Sequence, residues 1–218
     1  MKDIVVFGSG GHAKVIIDII EKQGAFKIIG LIDKFKDKDD TVFGYQIIGE
    51  EEDFPEISKN IYGGIIAIGD NWVRYKVASH IKAIVPNFKF ITAIHPFTAI
   101  ARGVKMGDGS VVMAGAILNS ESSIGEHCII NTMASIDHDN SIGDFVTIAP
   151  NVTIGGNVRI GDYSAISLGA NVIHGRGIGE HTVIGAGSTV IKDIPSYVVA
   201  FGTPAKVIRK REAGDKYL

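Results

Sequence analysis

Residues 124–142 read IGEHCIINTMASIDHDNSI, and an aliphatic residue returns in this stretch at every sixth position. Outward in both directions the same spacing continues without a break through 17 positions, from Ile94 to Val190. An amphipathic helix would repeat near every 3.6 residues and a half-buried strand every second residue. A period of six is typical of a parallel β-helix, in which three short strands form each coil. The pattern therefore predicts such a coil as the body of a second domain, residues 91–218, which ends in a C-terminal closing segment.

The position four residues after each aliphatic residue is nearly always small or medium-sized, which suits the interior of a narrow coil. Only Asn140 and Arg176 depart from this rule, and such departures mark either a functional site or a bulged corner. A glycine often follows the aliphatic residue directly. Because a sharp corner favours the positive φ that glycine permits, we expect these glycines to adopt it. They are Gly125, Gly143, Gly155, Gly161, Gly179 and Gly185.

Residues 1–90 have a different pattern, in which short apolar runs alternate with segments of helical spacing. This alternation predicts an α/β, Rossmann-like half-domain with a parallel sheet and right-handed crossovers. The first helix is expected to place Val15, Ile16, Ile19 and Ile20 on one apolar face, and Asn71 is the expected N-cap of a later helix. The expected elements are strands at 4–7, 27–32 and 65–68, a short strand near 45–48, and helices at 13–23 and from 71 to about 84.

The first strand ends in Gly8-Ser9-Gly10-Gly11-His12-Ala13, and Asp33 follows the second strand. This is a relaxed form of the dinucleotide-binding fingerprint, in which glycine permits close backbone approach and a helix N-terminus attracts phosphate. A domain of this size has room for about half of a dinucleotide fold, which disfavours a complete NAD site. The turn is predicted to hold a mononucleotide or a sugar-nucleotide pyrophosphate. The alternative is a tight strand-to-helix turn without a ligand.

Composition narrows the class of protein. The formal net charge is −2 and the pI is near 6.4, so no global field attracts nucleic acid or an anionic membrane. The single cysteine, Cys128, is expected to be a small core residue in a reduced compartment. The first residues lack the apolar core of a signal peptide, and no apolar run is long enough to span a bilayer. We therefore expect a cytoplasmic protein.

The repeat resembles that of the hexapeptide-repeat acyltransferases, and both halves together resemble the NeuD/PglD-type acetyltransferases of bacterial surface-sugar pathways. The resemblance implies a left-handed coil, a homotrimer, and acetyl-CoA bound in the groove between neighbouring prisms. It also implies that the first domain binds a nucleotide-linked amino sugar whose amine is acetylated. The matching motifs are Gly8-Ser9-Gly10-Gly11-His12-Ala13-Lys14, Ile130-Asn131-Thr132, Ile136-Asp137-His138-Asp139, Ile142-Gly143-Asp144, Ile148-Ala149-Pro150 and Gly202-x-Pro204-Ala205-Lys206.

Acetyl transfer from a thioester needs a neutral nucleophile, so a base must take a proton from the incoming amine or hydroxyl. Histidine suits this task at neutral pH, and His138 lies two residues past Ile136, on an outward slot. The resemblance implies that His138 is the general base and Asp139 its orienter, and it matches Asn131 with a substrate-contacting asparagine. The alternatives are a solvated histidine on a charged corner and an asparagine tolerated at a tight turn.

The resemblance implies further contacts in both domains. His12 would contact the pyrophosphate or the sugar unless the backbone satisfies it, and Asp33 would contact the base or ribose. Relatives carry a second acid where this chain has Lys34, so the identity of the bound nucleotide is not determined. Thr147 stands where many relatives have a second histidine near the acetyl group. The expected substrate-binding residues are Gly10, Gly11, His12, Asp33, Lys34 and Asn131, and the expected cofactor-binding residues are Thr147, Gly156, Ala165, Gly169 and Lys206.

No metal site is expected. The hexapeptide-repeat carbonic anhydrases bind zinc with three histidines, two of them five residues apart. No such pair occurs among His127, His138, His174 and His181.

The sequence thus favours an acetyl-CoA-dependent N-acetyltransferase acting on a UDP- or GDP-linked 4-amino sugar. A sugar O-acetyltransferase, with sialic acid as one substrate, would need the same base and the same groove. A third alternative is a trimeric scaffold or nucleotide-sensing module without catalysis, which an intact Asp137-His138-Asp139 disfavours.

Overall fold

The computed structural model describes residues 1–216, so residues 217 and 218 of the predicted coil region lie outside the described residues. The N-terminal domain is a five-stranded sheet with helices on both faces. Its elements are β1 (Lys2–Phe7), α1 (Gly11–Gln23), β2 (Phe26–Ile32), β3 (Thr41–Val42), β4 (Tyr45–Gly49), α2 (Phe54–Ile57), a 3-10 turn (Ser58–Asn60), β5 (Gly63–Ile66) and α3 (Asn71–Ile84).

The sheet order is β3-β4-β2-β1-β5, and β1 pairs in parallel with both β2 and β5. Alternate residues of β1 face opposite sides, as expected of a strand. Ile4 and Val6 pack in the cluster that contains the apolar face of α1, whereas Val5 and Phe7 pack in the cluster that contains α3. The run of four apolar residues is therefore explained by burial on both faces, which is typical of a parallel sheet.

Three details of this domain differ from the sequence prediction. The third strand is β5, Gly63–Ile66, two residues earlier than predicted. A side chain at Gly64 would put its Cβ 2.8 Å from the Val5 carbonyl oxygen, so close strand packing explains why β5 begins with glycine. Val15 is 41% exposed, and Ile17 is buried instead. The N-cap of α3 is Asp70, whose carboxylate accepts from Val73 N at 2.9 Å.

The second domain is a three-sided parallel β-helix. It consists of seventeen two-residue strands followed by two longer ones. They are β6 (Ala93–Ile94), β7 (Ala99–Ile100), β8 (Lys105–Met106), β9 (Val111–Val112), β10 (Ile117–Leu118), β11 (Ser123–Ile124), β12 (Ile129–Ile130), β13 (Ser135–Ile136), β14 (Ser141–Ile142), β15 (Thr147–Ile148), β16 (Thr153–Ile154), β17 (Arg159–Ile160), β18 (Ala165–Ile166), β19 (Asn171–Val172), β20 (Gly177–Ile178), β21 (Val183–Ile184), β22 (Thr189–Val190), β23 (Val198–Phe201) and β24 (Lys206–Lys210).

These strands form three faces. Face 1 contains β6, β9, β12, β15, β18 and β21, and β23 and β24 extend it; face 2 contains β7, β10, β13, β16, β19 and β22; face 3 contains β8, β11, β14, β17 and β20. In the central coil, corner A joins faces 1 and 2 at residues 131–134. Corner B joins faces 2 and 3 at residues 137–140, and corner C joins faces 3 and 1 at residues 143–146. The second residue of each strand points inward, as the six-residue period predicted, and most of these residues are buried.

The expected positive φ at the glycines that follow the aliphatic residues is wrong. None of those six glycines has a positive φ. They are needed because successive coils approach closely: a Cβ at Gly125 would lie 2.6 Å from the carbonyl carbon of Gly143 in the next coil. The positive φ occurs two residues later, at the third corner residue, which need not be glycine. Examples are Met133 at corner A, Asp139 at corner B and Phe145 at corner C.

The two domains meet along face 1, which packs in the same core cluster as α1, and along corner C, where α3 packs against a column of rings. His127, Phe145, Tyr163 and His181 occupy the same corner position in successive coils, and neighbouring rings stack with centroids 4.5–5.4 Å apart. Tyr75 of α3 contacts this column edge-on, with its ring centroid 5.5 Å from that of Phe145. The column therefore gives α3 a continuous aromatic surface.

Cys128 is buried inside the coil, where its thiol contacts the Gly143 carbonyl oxygen at 3.0 Å. Burial raises the pKa of the Cys128 thiol to about 12, so the thiol stays protonated at neutral pH. Among residues 1–216, no helix is long and apolar enough to cross a bilayer.

Candidate functional site

A cavity of about 680 Å³ lies between the start of α1 and face 1 of the coil. Gly11 and His12 line it from the N-terminal domain, and Thr147 and Ala165 line it from face 1. The cavity extends to corner A, where Asn131 forms part of its wall. Five residues that the sequence predicted for the site are thus brought together, although they belong to two domains.

A second cavity, of about 500 Å³, lies beside the turn between β1 and α1. Gly10, Asp33 and Lys34 line it, together with Gly11 and His12. Because Gly11 and His12 line both cavities, the two meet at the N-terminus of α1. A ligand long enough to fill both would pass this helix end, where unpaired backbone N–H groups favour negative charge.

The turn leaves its backbone open to such a ligand. Gly10 is the N-cap of α1 and has no side chain to satisfy the first amides. A Cβ at Gly10 or Gly11 would meet no atom within 4 Å, so both glycines border open space. Asp33 is fixed beside them, because its two carboxylate oxygens accept from Ser9 Oγ at 2.6 Å and from Phe35 N at 2.8 Å. The arrangement suits a phosphate at the helix end and a hydroxyl near Asp33.

His12 has no backbone partner for its inner ring nitrogen. Its Nε2 atom is buried and forms no hydrogen bond within residues 1–216. Burial, assisted by the nearby Arg74 guanidinium, lowers the pKa of His12 to about 4. The ring is therefore neutral at pH 7 and offers a hydrogen bond rather than a charge. At Nε2, therefore, no backbone group of residues 1–216 provides the partner that the alternative interpretation of His12 expected.

A buried polar network supports the floor of the first cavity. Thr147 Oγ1 donates to Asn71 Oδ1 at 2.6 Å, and Arg74 Nη2 donates to the same oxygen at 2.8 Å. Arg74 also donates to the carbonyl oxygens of His127 and Phe145, at 2.8 and 3.1 Å. The Thr147 hydroxyl, predicted to contact the cofactor, is therefore directed to a partner within the protein. Thr147 nevertheless remains part of the cavity wall.

Sequence reasoning missed Arg74 and the role of Asn71, although a signal was present. The buried residues of α3 are Asn71, Arg74, Val77, Ala78 and Ile81, which is the spacing of an apolar stripe. An arginine and an asparagine on such a stripe are expected to have buried polar partners. The column of rings at corner C was also detectable as an aromatic residue every eighteen positions from His127 to His181.

His138 and Asp139 lie at corner B, outside both cavities. Both side chains are about half exposed, and His138 Nδ1 lies 2.7 Å from Asp139 Oδ2. The hydrogen bond to Asp139, with a further contribution from the charge of Asp137, raises the pKa of His138 above its usual value. The opposite nitrogen, Nε2, is left for a substrate proton. This is the geometry of a general base held by a carboxylate.

Corner B and the cavity lie at opposite ends of the β13 strand, so one chain does not bring all the predicted residues together. Gly156 lies at corner B with His138. Gly169 lies at the third position of corner A and has a positive φ of 63°. Lys206 begins β24 and is exposed. Within residues 1–216, no group of three His, Cys, Asp or Glu side chains could hold a metal ion.

The known proteins that this chain resembles are acetyltransferases that act on sugars, or a domain of such enzymes. Residues 3–81 match the family described as the PglD N-terminal domain. UDP-N-acetylbacillosamine N-acetyltransferase of Bacillus subtilis is 36% identical over 117 residues, 52% of this chain, and the match spans about half (52%) of that enzyme's length. A crystal structure of a histidine-to-asparagine mutant of perosamine N-acetyltransferase from Caulobacter crescentus, in complex with CoA and GDP-perosamine, is 33% identical. That match covers 96% of this chain and 98% of the other, with a TM-score of 0.90.

The acetyltransferase domain of PglB from Neisseria gonorrhoeae, in complex with acetyl coenzyme A, is 30% identical. The match covers 95% of this chain and 99% of that one, with a TM-score of 0.87. These similarities extend over both domains, and they confirm the predicted α/β half-domain followed by a left-handed β-helix. The chain belongs to the NeuD/PglD-type family of left-handed β-helix acetyltransferases.

Proposed function

We propose that this chain is an acetyl-CoA-dependent N-acetyltransferase that acts on the amine of a nucleotide-linked amino sugar, with His138 as general base. The observation that carries the proposal is the 2.7 Å contact between His138 Nδ1 and Asp139 Oδ2 at an exposed corner. The joined cavities support the choice of substrate. Their helix N-terminus and Asp33 suit the phosphates and a hydroxyl of a sugar nucleotide, and the face 1 portion leaves room for the sugar.

The residues of the coil also suit a long, thin acyl carrier. Ala149 and Ala186 at corner A and Ala165 on face 1 line the first cavity, and their small side chains permit close approach of an extended chain. Lys206 and Lys210 are exposed on β24, where their charges suit phosphate groups, whereas Arg209 between them lies 3.6 Å from Asp215. Bound acetyl-CoA would supply an electrophilic thioester carbonyl.

The chemistry then needs one base and one orienting acid. His138 Nε2 takes a proton from the amine of the sugar while the amine nitrogen forms a bond to the thioester carbonyl carbon. Asp139 stabilises the imidazolium that results. The imidazolium then returns the proton to the sulfur as the carbon–sulfur bond breaks, so the base is restored and the free thiol leaves. No covalent intermediate with the protein is required.

The active form is proposed to be a homotrimer in which one protomer supplies His138 and its neighbour supplies the cavity. Corner B does not reach the cavity of its own chain. Corner A and face 2 expose apolar side chains that a second copy would cover: Phe97, Ile117, Met133 and Leu168 are 75%, 42%, 58% and 57% exposed.

O-acetylation of a sugar hydroxyl is the competing activity, because it needs the same base. The named relatives favour nitrogen as the acceptor, since the Bacillus and Caulobacter proteins are N-acetyltransferases. Nucleotide-linked amino sugars are therefore the first substrates to test.

The deciding experiment measures thiol release from acetyl-CoA with a panel of UDP- and GDP-linked 4-amino sugars and free sialic acid. We expect turnover with one of the amino sugars and its loss, by at least about a hundredfold, in His138→Asn. His174→Asn is the matched control, because His174 occupies the same position of corner B two coils later and is also exposed. Full activity of His138→Asn would refute the base assignment. Turnover of sialic acid alone would establish the O-acetyltransferase instead.

A further inference from the structure

The turn that carries His138 is fixed from inside the coil by Asn140. Asn140 is one of the two residues that break the rule of small inward side chains, and it is only 2% exposed. Its Nδ2 donates to the Asp137 carbonyl oxygen at 2.6 Å, which ties the two ends of corner B together. Its Oδ1 accepts from Val158 N at 2.7 Å, which ties this turn to the next coil.

The interior of the coil adds a second tie to the same carbonyl. Ser122 Oγ, one coil earlier, also donates to the Asp137 carbonyl oxygen, at 2.7 Å, and accepts from Asn140 N at 3.1 Å. Corner B of this coil is thus held from the coil before and the coil after. The bulged corner considered from sequence is not needed to explain Asn140, because a small residue could not make these two contacts.

Outside the coil, the His138 ring lies against the bare backbone of Gly156. Gly156 occupies the position equivalent to His138 in the next coil, eighteen residues later. A Cβ at Gly156 would lie 2.8 Å from both Cε1 and Nε2 of the His138 ring. The same corner position carries Arg102, Ser120, His174 and Lys192 in other coils, so glycine is not required by the corner itself. Gly156 also lacks a positive φ, so backbone strain does not explain it.

We propose that Asn140 and Gly156 are positioning residues for His138: the buried amide of Asn140 fixes the turn, and the absent side chain of Gly156 leaves the space in which the ring meets Asp139. The proposal rests on the proposed function, in which His138 is the base. Neither residue is expected to touch the reacting atoms through its side chain. Each acts through the orientation of the imidazole.

A methyl group at position 156 should displace the ring rather than the fold. The ring is half exposed and can rotate away, whereas the backbone of the coil is held by the ladders of three faces. Rotation would lengthen the contact between His138 Nδ1 and Asp139 Oδ2. Asp137 and Asp139 are the charged groups that face His138 from its own turn, and the stacked positions Ser120 and Gly156 carry no charge. The pKa of His138 should therefore fall towards its usual value as the ring leaves Asp139.

The test compares Gly156→Ala with Gly177→Ala in the full-length protein. A Cβ at Gly177 would lie no closer than 3.8 Å to any atom, at Asp193, so this control adds a methyl group to the same repeat without a clash. Histidine-labelled samples would be titrated by NMR, with the His138 signal identified by its absence in His138→Asn. We expect a lower His138 pKa in Gly156→Ala only, together with a fall in kcat of about tenfold to a hundredfold.

The second variant removes the interior tie. Asn140→Val places at this slot the residue that the next coil carries at the equivalent position, Val158, so the fold should tolerate it. We expect kcat to fall while the KM values for both substrates stay within about twofold, because the binding surfaces are untouched.

The outcomes separate the proposal from its premise. A raised KM for acetyl-CoA in Gly156→Ala, with an unchanged His138 titration, would show that Gly156 is only a cofactor contact and would overturn the proposal. An active His138→Asn enzyme would refute the premise that His138 is the base. The NMR titration would still report whether Gly156 and Asn140 orient the ring.

Discussion

Asp139 determines how the His138 ring titrates and where it points. Its backbone has a positive φ of 57°, the third corner position, and this conformation directs its carboxylate back to His138 Nδ1. Aspartate is among the non-glycine residues that adopt this conformation most readily. Asp139 therefore both adopts the conformation that the corner requires and holds the His138 ring.

Replacing Asp139 by asparagine should move the pH profile and lower the rate. The hydrogen bond to the carboxylate is the main cause of the raised pKa of His138. A base works in its neutral form, so wild-type kcat/KM should rise with pH through a midpoint above the usual value for histidine. In Asp139→Asn the midpoint should move to lower pH, because the neutral ring is favoured. The plateau should fall by about tenfold or more, because the orienter is weaker.

The measurement is kcat/KM against pH from about 5 to 9, with Asp193→Asn as the control at an exposed carboxylate on the same coil domain. An unchanged midpoint in Asp139→Asn would contradict the assigned pairing.

For single residues, the sequence identified the pair His138 and Asp139 but not the contacts that cross between the domains. His138, Asp139 and Asn131 were visible because a motif marks them, and their corner positions followed from the period of six. The hydroxyl of Thr147 was expected at the cofactor, yet it bonds to Asn71, which is 76 residues away in the chain. A contact between domains depends on how the domains dock, and the spacing of residues within either domain does not predict the docking.

Corner C couples the coil to α3 of the N-terminal domain, while face 1 packs against α1. His127 is 1% exposed, stacks on Phe145 with ring centroids 4.9 Å apart, and contacts Phe90 edge-on. Burial first, and then the charges of Arg74 and Lys82, lower the pKa of His127 to about 3. The folded protein therefore holds this ring in its neutral form.

This lowered pKa makes stability depend on pH. Below about pH 6.5 His127 is protonated in the unfolded chain but stays neutral in the folded chain. The free energy of unfolding therefore falls as the pH falls towards 3. The loss is about 1.4 kcal/mol per pH unit for this group. His12, with a pKa of about 4, contributes in the same direction down to that pH.

Replacing His127 by phenylalanine should remove its part of this dependence. Phenylalanine occupies the same corner position in the next coil, at Phe145, with the same positive φ, so the backbone accepts it. We expect denaturant unfolding to show that the wild type loses about 2 kcal/mol more than His127→Phe between pH 6.5 and pH 5. His174→Phe, at an exposed histidine, should behave like the wild type. Equal pH dependence of wild type and His127→Phe would contradict a neutral, buried ring.

The architecture of the elements was largely predictable from the sequence, because periodic burial leaves a periodic signal. Seventeen aliphatic positions gave the strands of the coil. The role of Gly125 and its equivalents was misjudged, because the sequence shows that glycine is needed but not whether φ or close packing requires it. The structure shows that packing between coils does.

For the whole molecule, the separation of corner B from the cavity leads to a test by mixing two variants. His138→Asn removes the proposed base but keeps the cavity, whereas Gly11→Trp would block the junction of the two cavities but keep His138. If the site is shared between protomers, mixed trimers should contain about a quarter of intact sites when the variants are exchanged in equal amounts.

We expect activity to reappear on co-expression of the two inactive variants, measured as thiol release. Mixtures of either variant with itself provide the control. No recovery, with mixed trimers verified by differently tagged subunits, would show that each chain uses its own His138.

The buried Arg74 has a consequence for how the chain is made. It donates to carbonyl oxygens that lie 53 and 71 residues further along the sequence. During synthesis the α/β domain, with the Arg74 acceptors that it contains itself, is therefore complete before these two acceptors of the coil have been made. Until the first coils close, α3 presents a surface on which these two hydrogen bonds are not yet made, and such transiently exposed surface is where multidomain chains misassemble.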